Sequence, residues 1–362
     1  MKPCILPWIN FGTNTFGKPR VCGYSSKTSD EWDFNSKYFK EIRNSFLNNE
    51  WPENCERCKH VEELGGTSKR MDENHMWYNK YEHLIDKNVV DYYPPHIDVR
   101  TGTICNFKCI HCGPASSSKW MEDYELICNY GYDFPLVDDK WIVQDSKFWD
   151  NLDISQIKRY NFLGGESFYN KRHNEFIKRL NESEYAKDVE IAYVSNGSLK
   201  FDNMENFKKV RLRLSVDCAE EAGEYFRYGI KWDEWCNNIS NFPSNFDVSF
   251  QWTCSNVSMF YLKDTYTYMR TEFPDIRFLF ENHVTEPYHM SAQNLPMKIK
   301  KQICKDIDFI DMPKSYVNYM MEKDGWNSHG KIFINYLDDL DQARKIDWRT
   351  SFTKMDMALC QL

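Results

Sequence analysis

The sequence predicts an α/β fold, with a small cysteine-rich module ahead of it and a helical extension behind. Three observations predict it. Between about residues 95 and 290, short apolar runs that read as strands alternate with longer stretches that read as helices, the pattern of a parallel sheet or barrel. Before that region come four cysteines, Cys4, Cys22, Cys55 and Cys58, separated from the rest of the thiols. The chain has 362 residues, enough for one large α/β domain and a smaller one.

Composition narrows the function. The net charge is -8 with no basic block, which argues against nucleic acid as a partner. No run of eighteen apolar residues occurs, so no transmembrane helix and no membrane partner is expected. The first residues, Met-Lys-Pro-Cys-Ile-Leu-Pro-Trp, place proline and cysteine where a signal peptide needs a long apolar region, and the expected location is the cytoplasm. Thirteen cysteines in such a chain point to metal binding rather than disulfides. Seven fall into two sets; Cys128, Cys218, Cys236, Cys254, Cys304 and Cys360 are scattered singly and read as buried apolar thiols.

Taken in order, residues 1–95 form the N-terminal module. The run Cys4-Ile-Leu-Pro7-Trp8-Ile-Asn-Phe reads as a short strand. Turn residues Gly12, Thr13, Asn14 and Gly17 and then Arg20-Val21-Cys22 complete a hairpin with a cysteine on each arm. A helix is expected over about Ser36–Asn48, with Phe39, Ile42, Phe46 and Leu47 on one face. Cys55-Glu-Arg-Cys58 follows, then a helix from Lys59 to Glu63, a break at Gly65-Gly66, and a longer helix from about Lys69 to Ile85. Two hairpin cysteines plus a CxxC make four soft ligands, which satisfy one tetrahedral zinc or one four-cysteine cluster.

The expected strands of the second region are His96–Arg100, Arg159–Leu163, Glu190–Val194, Val210–Val216, Val248–Thr253 and Arg277–Glu281. The first leads into Cys105-Asn-Phe-Lys-Cys109-Ile-His-Cys112, with a helix expected from Ala115 to about Cys128. Three thiolates on one short loop can hold three irons of a [4Fe–4S] cluster and leave the fourth open; a zinc site, or chance in a cysteine-rich chain, is the competing reading of the spacing alone. The second strand ends in Gly164-Gly165-Glu166, where glycines allow close backbone approach and Glu166 can accept from an ammonium group, or where a plain turn carries a solvated glutamate. The third ends in the turn Ser195-Asn196-Gly197 and the fourth in Ser215-Val-Asp217-Cys218, with Arg227 beyond it. Cys254 closes the fifth and reads as a packing thiol. The loop holding His283, Glu286 and His289 reads as substrate-facing or solvated. Beyond 291, amphipathic helices are expected around Phe309–Met321 and Phe333–Arg344, and the basic stretch Lys298, Lys300, Lys301 reads as a solvated helix face.

The CxxxCxxC loop with an aromatic residue, His111, before its last cysteine resembles the radical S-adenosylmethionine (SAM) superfamily. The motifs at the following strand ends occur in that family's order. The resemblance implies a partial (β/α)6 barrel over 96–290; the helical C-terminal extension over 291–362 is read from its amphipathic pattern and carries no motif. The resemblance also implies that Cys105, Cys109 and Cys112 hold a [4Fe–4S] cluster and that Gly164, Gly165 and Glu166 meet the SAM amino group. It places Asn196 near the ribose, and Ser215, Asp217 and Arg227 at the SAM carboxylate and ribose. Where the family has glycine after that aspartate this chain has Cys218. The pattern around Cys4, Pro7-Trp8, Cys22, Trp51 and Cys55–Cys58 resembles the auxiliary-cluster modules called SPASM and twitch, which usually follow the core. That implies a second [4Fe–4S] cluster over 1–95. The activity implied is reductive cleavage of SAM to a 5′-deoxyadenosyl radical that abstracts hydrogen from a substrate, a peptide or protein. The same resemblance admits a small molecule or nucleoside. A one-electron reductant such as flavodoxin or ferredoxin is the implied partner. A non-catalytic iron–sulfur or zinc protein is the rival, and has no need of Glu166, Ser215 and Arg227.

Overall fold

The computed structural model describes residues 2–63, 66–132, 134 and 146–361. Among them are ten strands: β1 (Asn10–Thr13), β2 (Pro19–Arg20), β3 (His96–Arg100), β4 (Lys108–Cys109), β5 (Arg159–Leu163), β6 (Glu190–Ser195), β7 (Lys209–Ser215), β8 (Arg227–Tyr228), β9 (Phe246–Cys254) and β10 (Arg277–His283). The fold is α/β with a mostly parallel arrangement of strands, and all six strands expected between 96 and 290 are present within a residue or two of their predicted ends. The described residues fall into two compact units. One takes those up to Gly102, those from 146 to Tyr193 and Asp202–Val210; the other takes Thr103 to 134, Val194–Phe201 and those from Arg211 onward.

In the first unit the strand order is β2-β1-β3-β5-β6, with β1 antiparallel to β2 and parallel to β3, and β3, β5 and β6 parallel in turn. Period-two alternation explains the strands: Ile97 and Val99 of β3 and Tyr160 and Phe162 of β5 are buried, while the residues between them are partly exposed. Aromatic rings fill the space against the helix Lys171–Asn181. Phe162 packs on Tyr193 with ring centres 5.2 Å apart, and Phe176 sits 5.4 Å from Tyr160. That helix starts where the Asn170 side chain accepts from the backbone N–H of Arg172 and His173. His173 is buried, with Nε2 2.9 Å from the Tyr193 hydroxyl. Helices Lys37–Leu47, Glu56–Glu63 and Lys69–Tyr81 complete the N-terminal part.

In the second unit β9 lies between β7 and β10, and it runs parallel to β10. One apolar core joins Ile110, Trp120 and Phe226 to Phe333, Tyr336, Leu337 and Leu340 of the helix Trp326–Arg344. Another joins Trp252, Cys254 and Leu262 to the helices Met297–Asp306 and Lys314–Met321. Among the described residues no helix is long and apolar enough to cross a membrane.

Several local expectations are corrected. The run after Cys4 is not all strand: Leu6–Ile9 is one helical turn with proline in its first turn, and the strand begins at Asn10. The helix expected from Ala115 starts later, as a 3-10 turn Ser118–Trp120 followed by Met121–Ile127, because Gly113–Ser117 is occupied by turns. The helix after Lys69 ends at Tyr81 and continues as the 3-10 turn Glu82–Leu84, while Gly65 lies outside the described residues. Lys300 is not on a solvated face; it is buried, its Nζ donating to the carbonyls of Gln293 (2.7 Å) and Lys323. Cys218 and Cys254 are buried as expected, but Cys128, Cys236 and Cys304 are half-buried and Cys360, in the last turn of the chain, is exposed. His289 is not in a solvated loop either. It is buried beside Tyr336, ring centres 4.4 Å apart, and burial pushes its imidazole down to about 4.

Candidate active site

The CxxxCxxC loop leaves Thr103, turns through Cys105, and forms the two-residue strand β4 at Lys108–Cys109. That strand pairs antiparallel with β8, so that Cys109 stands opposite Arg227 and Lys108 opposite Tyr228. This pairing makes Arg227, more than a hundred residues downstream, a neighbour of the loop. Its Nη1 lies 3.9 Å from Cys109 Sγ and its Nη2 2.6 Å from Asp217 Oδ2. Both side chains of that ion pair are buried, and among the described residues Asp217 Oδ1 accepts no hydrogen bond. A buried carboxylate oxygen without a donor is costly, and it is the kind of atom a bound ligand satisfies. Burial alone would lower Arg227, but Asp217 outweighs it and holds the guanidinium high, with the Cys109 and Cys112 thiols adding to the effect.

Of the loop's thiols, Cys109 is the one biased towards the thiolate. Cys109 is held below the usual thiol range, first by a hydrogen bond from Cys112 and then by the Arg227 and Arg344 guanidinium groups; Cys112 is pushed up as the partner that keeps the proton. Cys105 Sγ receives the Phe107 N–H at 3.5 Å and the Asn196 side-chain N–H at 3.9 Å. Asn196 is fixed in place: its Nδ2 donates to Asn106 Oδ1 at 2.8 Å, and its carbonyl accepts from Trp235 Nε1 at 2.9 Å. Gly197 follows at φ +72, and a Cβ there would stand 2.6 Å from Trp235 Nε1, so glycine is required by both conformation and space. N–H donors at Cys105 and a guanidinium at Cys109, with Cys112 on the same loop, suit an anionic iron–sulfur cluster. Ser215 ends β7, half-buried, two residues before Asp217.

The Gly164-Gly165-Glu166 turn belongs to the first unit. Gly164 has φ +84, and a Cβ on it would come within 3.1 Å of the Gly102 carbonyl; Thr101 Oγ1 donates to the Gly164 carbonyl at 2.9 Å. Glu166 is buried, not the solvated glutamate of a plain turn, and Oε1 accepts from the Phe168 N–H at 3.4 Å.

In the same unit Cys4, Cys22, Cys55 and Cys58 line one small cavity with Leu6, Phe46, Trp51, Lys69 and Arg70. The hairpin, the helical turn and the CxxC segment therefore do bring the four together. Burial pushes the thiols of Cys4, Cys22 and Cys55 up, and neighbouring thiols add to that, while Lys69 opposes it at Cys22 and Arg70 at Cys55. Among the described residues, no three His, Cys, Asp or Glu side chains stand as the ligand set of a single metal ion.

Sequence reasoning missed the residues that hold the thiol loop from behind. Trp120 Nε1 donates to the Cys109 carbonyl at 2.9 Å, Tyr336 to the Ile110 carbonyl at 2.7 Å and Arg344 Nη2 to the Lys108 carbonyl at 2.8 Å. Asp123 accepts from both Lys108 (2.6 Å) and Arg344 (2.7 Å). No motif marks these residues.

Residues 99–269 match the family model described as the Radical SAM superfamily. The chain is 25% identical to a GTP 3′,8-cyclase of Campylobacter lari over 143 residues, 38% of each protein. It is 26% identical to the GTP 3′,8-cyclase of Nautilia profundicola over 146 residues, 39% of this chain and 38% of the relative. It thus spans well under half the length of the curated relatives it matches. Among solved structures, native anSMEcpe with bound AdoMet is 18% identical at a TM-score of 0.37, covering 58% of both chains. Streptococcus suis SuiB is 13% identical at a TM-score of 0.36, covering 76% of this chain and 65% of the other.

Proposed function

From the premise that residues 99–269 form a radical SAM superfamily domain, and that the protein is therefore an enzyme, we propose that it cleaves SAM reductively at the Cys105–Cys109–Cys112 loop and abstracts hydrogen from a peptide or protein substrate. The observation that carries this reading is the thiol loop paired against the buried Arg227–Asp217 ion pair. When bound, the [4Fe–4S] cluster and SAM supply one-electron cleavage and attack on an unreactive C–H bond; the protein supplies position and electrostatics.

In this reading Cys105, Cys109 and Cys112 hold the cluster, and Arg227 and Asn196 stabilise the negative charge on its sulfurs. Asp217 Oδ1, buried and without a donor among the described residues, would accept from a hydroxyl of the SAM ribose, and Ser215, two residues earlier in the chain, would serve the same end of SAM. Glu166 and the Gly164-Gly165 backbone receive the SAM amino group. Cys4, Cys22, Cys55 and Cys58 hold an auxiliary [4Fe–4S] cluster in a module over 1–95, ahead of a core over 96–290 and an extension over 291–362. A flavodoxin- or ferredoxin-like carrier supplies the electron, and the cytoplasm, which keeps thiols reduced, is the location this reading takes.

A second reading has one observation in its favour: both curated relatives above are named for a reaction on GTP. There the substrate would be a nucleotide. Anaerobic reconstitution tests both. The enzyme reading expects iron on the protein and 5′-deoxyadenosine from SAM plus reductant. A mass change in peptides of a cell extract supports the first substrate class, and conversion of GTP supports the second. Reconstituted protein that binds iron and yields no deoxyadenosine refutes SAM cleavage.

A further inference from the structure

We propose that the helix Trp326–Arg344 is part of the cluster site, and that Arg344 and Tyr336 are positioning residues that set the reduction potential of a cluster held by Cys105, Cys109 and Cys112. The inference rests on the cluster reading above and goes beyond it, since the helix lies outside the residues that match the family.

Four successive carbonyls of the loop each receive a side-chain donor. Ser117 donates to Phe107 at 2.6 Å, Arg344 to Lys108 at 2.8 Å, Trp120 to Cys109 at 2.9 Å and Tyr336 to Ile110 at 2.7 Å. Ser117 and Trp120 are local, within eleven residues of their acceptors, and any turn after the loop could provide them. Tyr336 and Arg344 reach back across 226 and 236 residues. They sit eight residues apart, two helical turns along one face, and so grip the loop at two points from a single rigid element.

Arg344 is more than a clamp. Its side chain is fully buried, its Nε is 2.7 Å from Asp123 Oδ2, and its buried Nη1 has no hydrogen-bond partner among the described residues. The guanidinium stands over the rings of Tyr228 (4.7 Å) and Trp120 (5.3 Å), so little water screens it. Lys108 Nζ shares the same Asp123, at 2.6 Å. Lys108 also reaches the half-exposed Glu122 at 3.4 Å, which leaves Arg344, of these two, as the fully buried cation that acts on the Cys109 thiol. Reduction adds one negative charge to a cluster, and a buried positive charge close by favours the reduced form. Hydrogen bonds to the loop's carbonyls act in the same direction, by withdrawing electron density from peptides next to the ligating sulfurs.

The test is a redox titration of the reconstituted full-length chain, following the part of the reduced-cluster EPR signal that disappears when Cys105, Cys109 and Cys112 are replaced by alanine. Arg344→Met should make reduction at least tenfold less favourable, a fall of 59 mV for a one-electron couple. Arg344→Lys, which keeps the charge, should restore most of it. Tyr336→Phe, which removes one oxygen and no packing volume, should lower the potential less and release iron faster. A purely structural helix would give lower melting temperatures with an unmoved potential, and a folded Arg344→Met protein of wild-type potential overturns the proposal. Should Arg344→Met fail to fold, Tyr336→Phe decides: wild-type potential and wild-type iron retention there also overturn it. A wild-type chain with no such signal overturns the cluster reading itself, an outcome distinct from an unmoved potential.

Discussion

Removing Arg227 strands a charge. Arg227→Met deletes the guanidinium that stands 2.6 Å from Asp217 and leaves a carboxylate of zero exposure with no counter-ion. At an effective dielectric constant of about 20, a contact of that length is worth roughly 6 kcal/mol before desolvation is counted. Desolvation offsets much of it, and truncating one partner of a buried pair typically costs about 3–5 kcal/mol. The double variant Arg227→Met with Asp217→Asn removes both charges and should recover most of that loss, giving a coupling of at least about 2 kcal/mol. Urea titrations of the metal-free wild type, both single variants and the double variant supply the four corners of the cycle. The same Arg227→Met protein should load iron less completely, because Cys109 loses a group that favours its thiolate. A single variant that loses under about 1 kcal/mol, or a double variant whose loss is the sum of the singles, refutes the claim that the pair is one buried electrostatic unit.

Replacing Cys105, Cys109 and Cys112 with alanine should remove one cluster's worth of iron and abolish 5′-deoxyadenosine formation; undiminished formation would place the chemistry elsewhere. Replacing Cys4, Cys22, Cys55 and Cys58 should remove a second cluster's worth, leave substrate-free SAM cleavage intact and stop the substrate reaction, and zinc in place of iron in anaerobically purified protein would leave only a structural ribbon. Glu166→Ala should weaken SAM binding by roughly ten- to a hundredfold, the loss of a charge-assisted hydrogen bond of about 1.5–3 kcal/mol, with iron content unchanged in the same preparation. Burial holds both His173 and His289 down to about 4, below the ordinary value of 6.5. The unfolded chain therefore takes up these protons first, so stability is full above pH 6.5 and declines as pH falls towards 4. Denaturation midpoints across that window should show the slope, and His173→Gln should flatten part of it.

What the sequence made legible was what short-range pattern encodes. Period-two burial placed β3 and β5 to the residue, because β5 alternates half-buried and buried side chains throughout and β3 does so from Ile97 onward. The CxxxCxxC and CxxC spacings stand out because they are local, whereas the meeting of Cys4 and Cys22 with Cys55 and Cys58 at one cavity depends on the fold. Leu6–Ile9 was misread because four apolar residues carry no usable period, and proline suits a first helical turn as well as a strand end. Lys300 was misread because its partners are backbone carbonyls, of Gln293 and Lys323, which leave no mark on side-chain pattern. Tyr336 and Arg344 were invisible for the same reason at longer range: each donates to a carbonyl more than two hundred residues away.

Cys218 shows how a departure from a motif can be absorbed. A glycine after the Ser-x-Asp would leave the backbone free to turn, and a side chain there threatens to push Asp217 away from Arg227. Instead the thiol is fully buried in the core with Ala222, Tyr225 and Phe226, and Asp217 still meets Arg227 at 2.6 Å. The need for a bare backbone reappears five residues on, at Gly223, where a Cβ would stand 2.6 Å from the Cys218 carbonyl. Substituting Gly223 with alanine would drive that carbonyl aside and disturb the turn carrying Asp217, whereas Cys218→Gly would leave a cavity in the apolar core and spare the ion pair. The constraint that keeps Asp217 against Arg227 thus lies on the helix Glu220–Phe226 that leads directly into Arg227, so one short element positions both members of the pair.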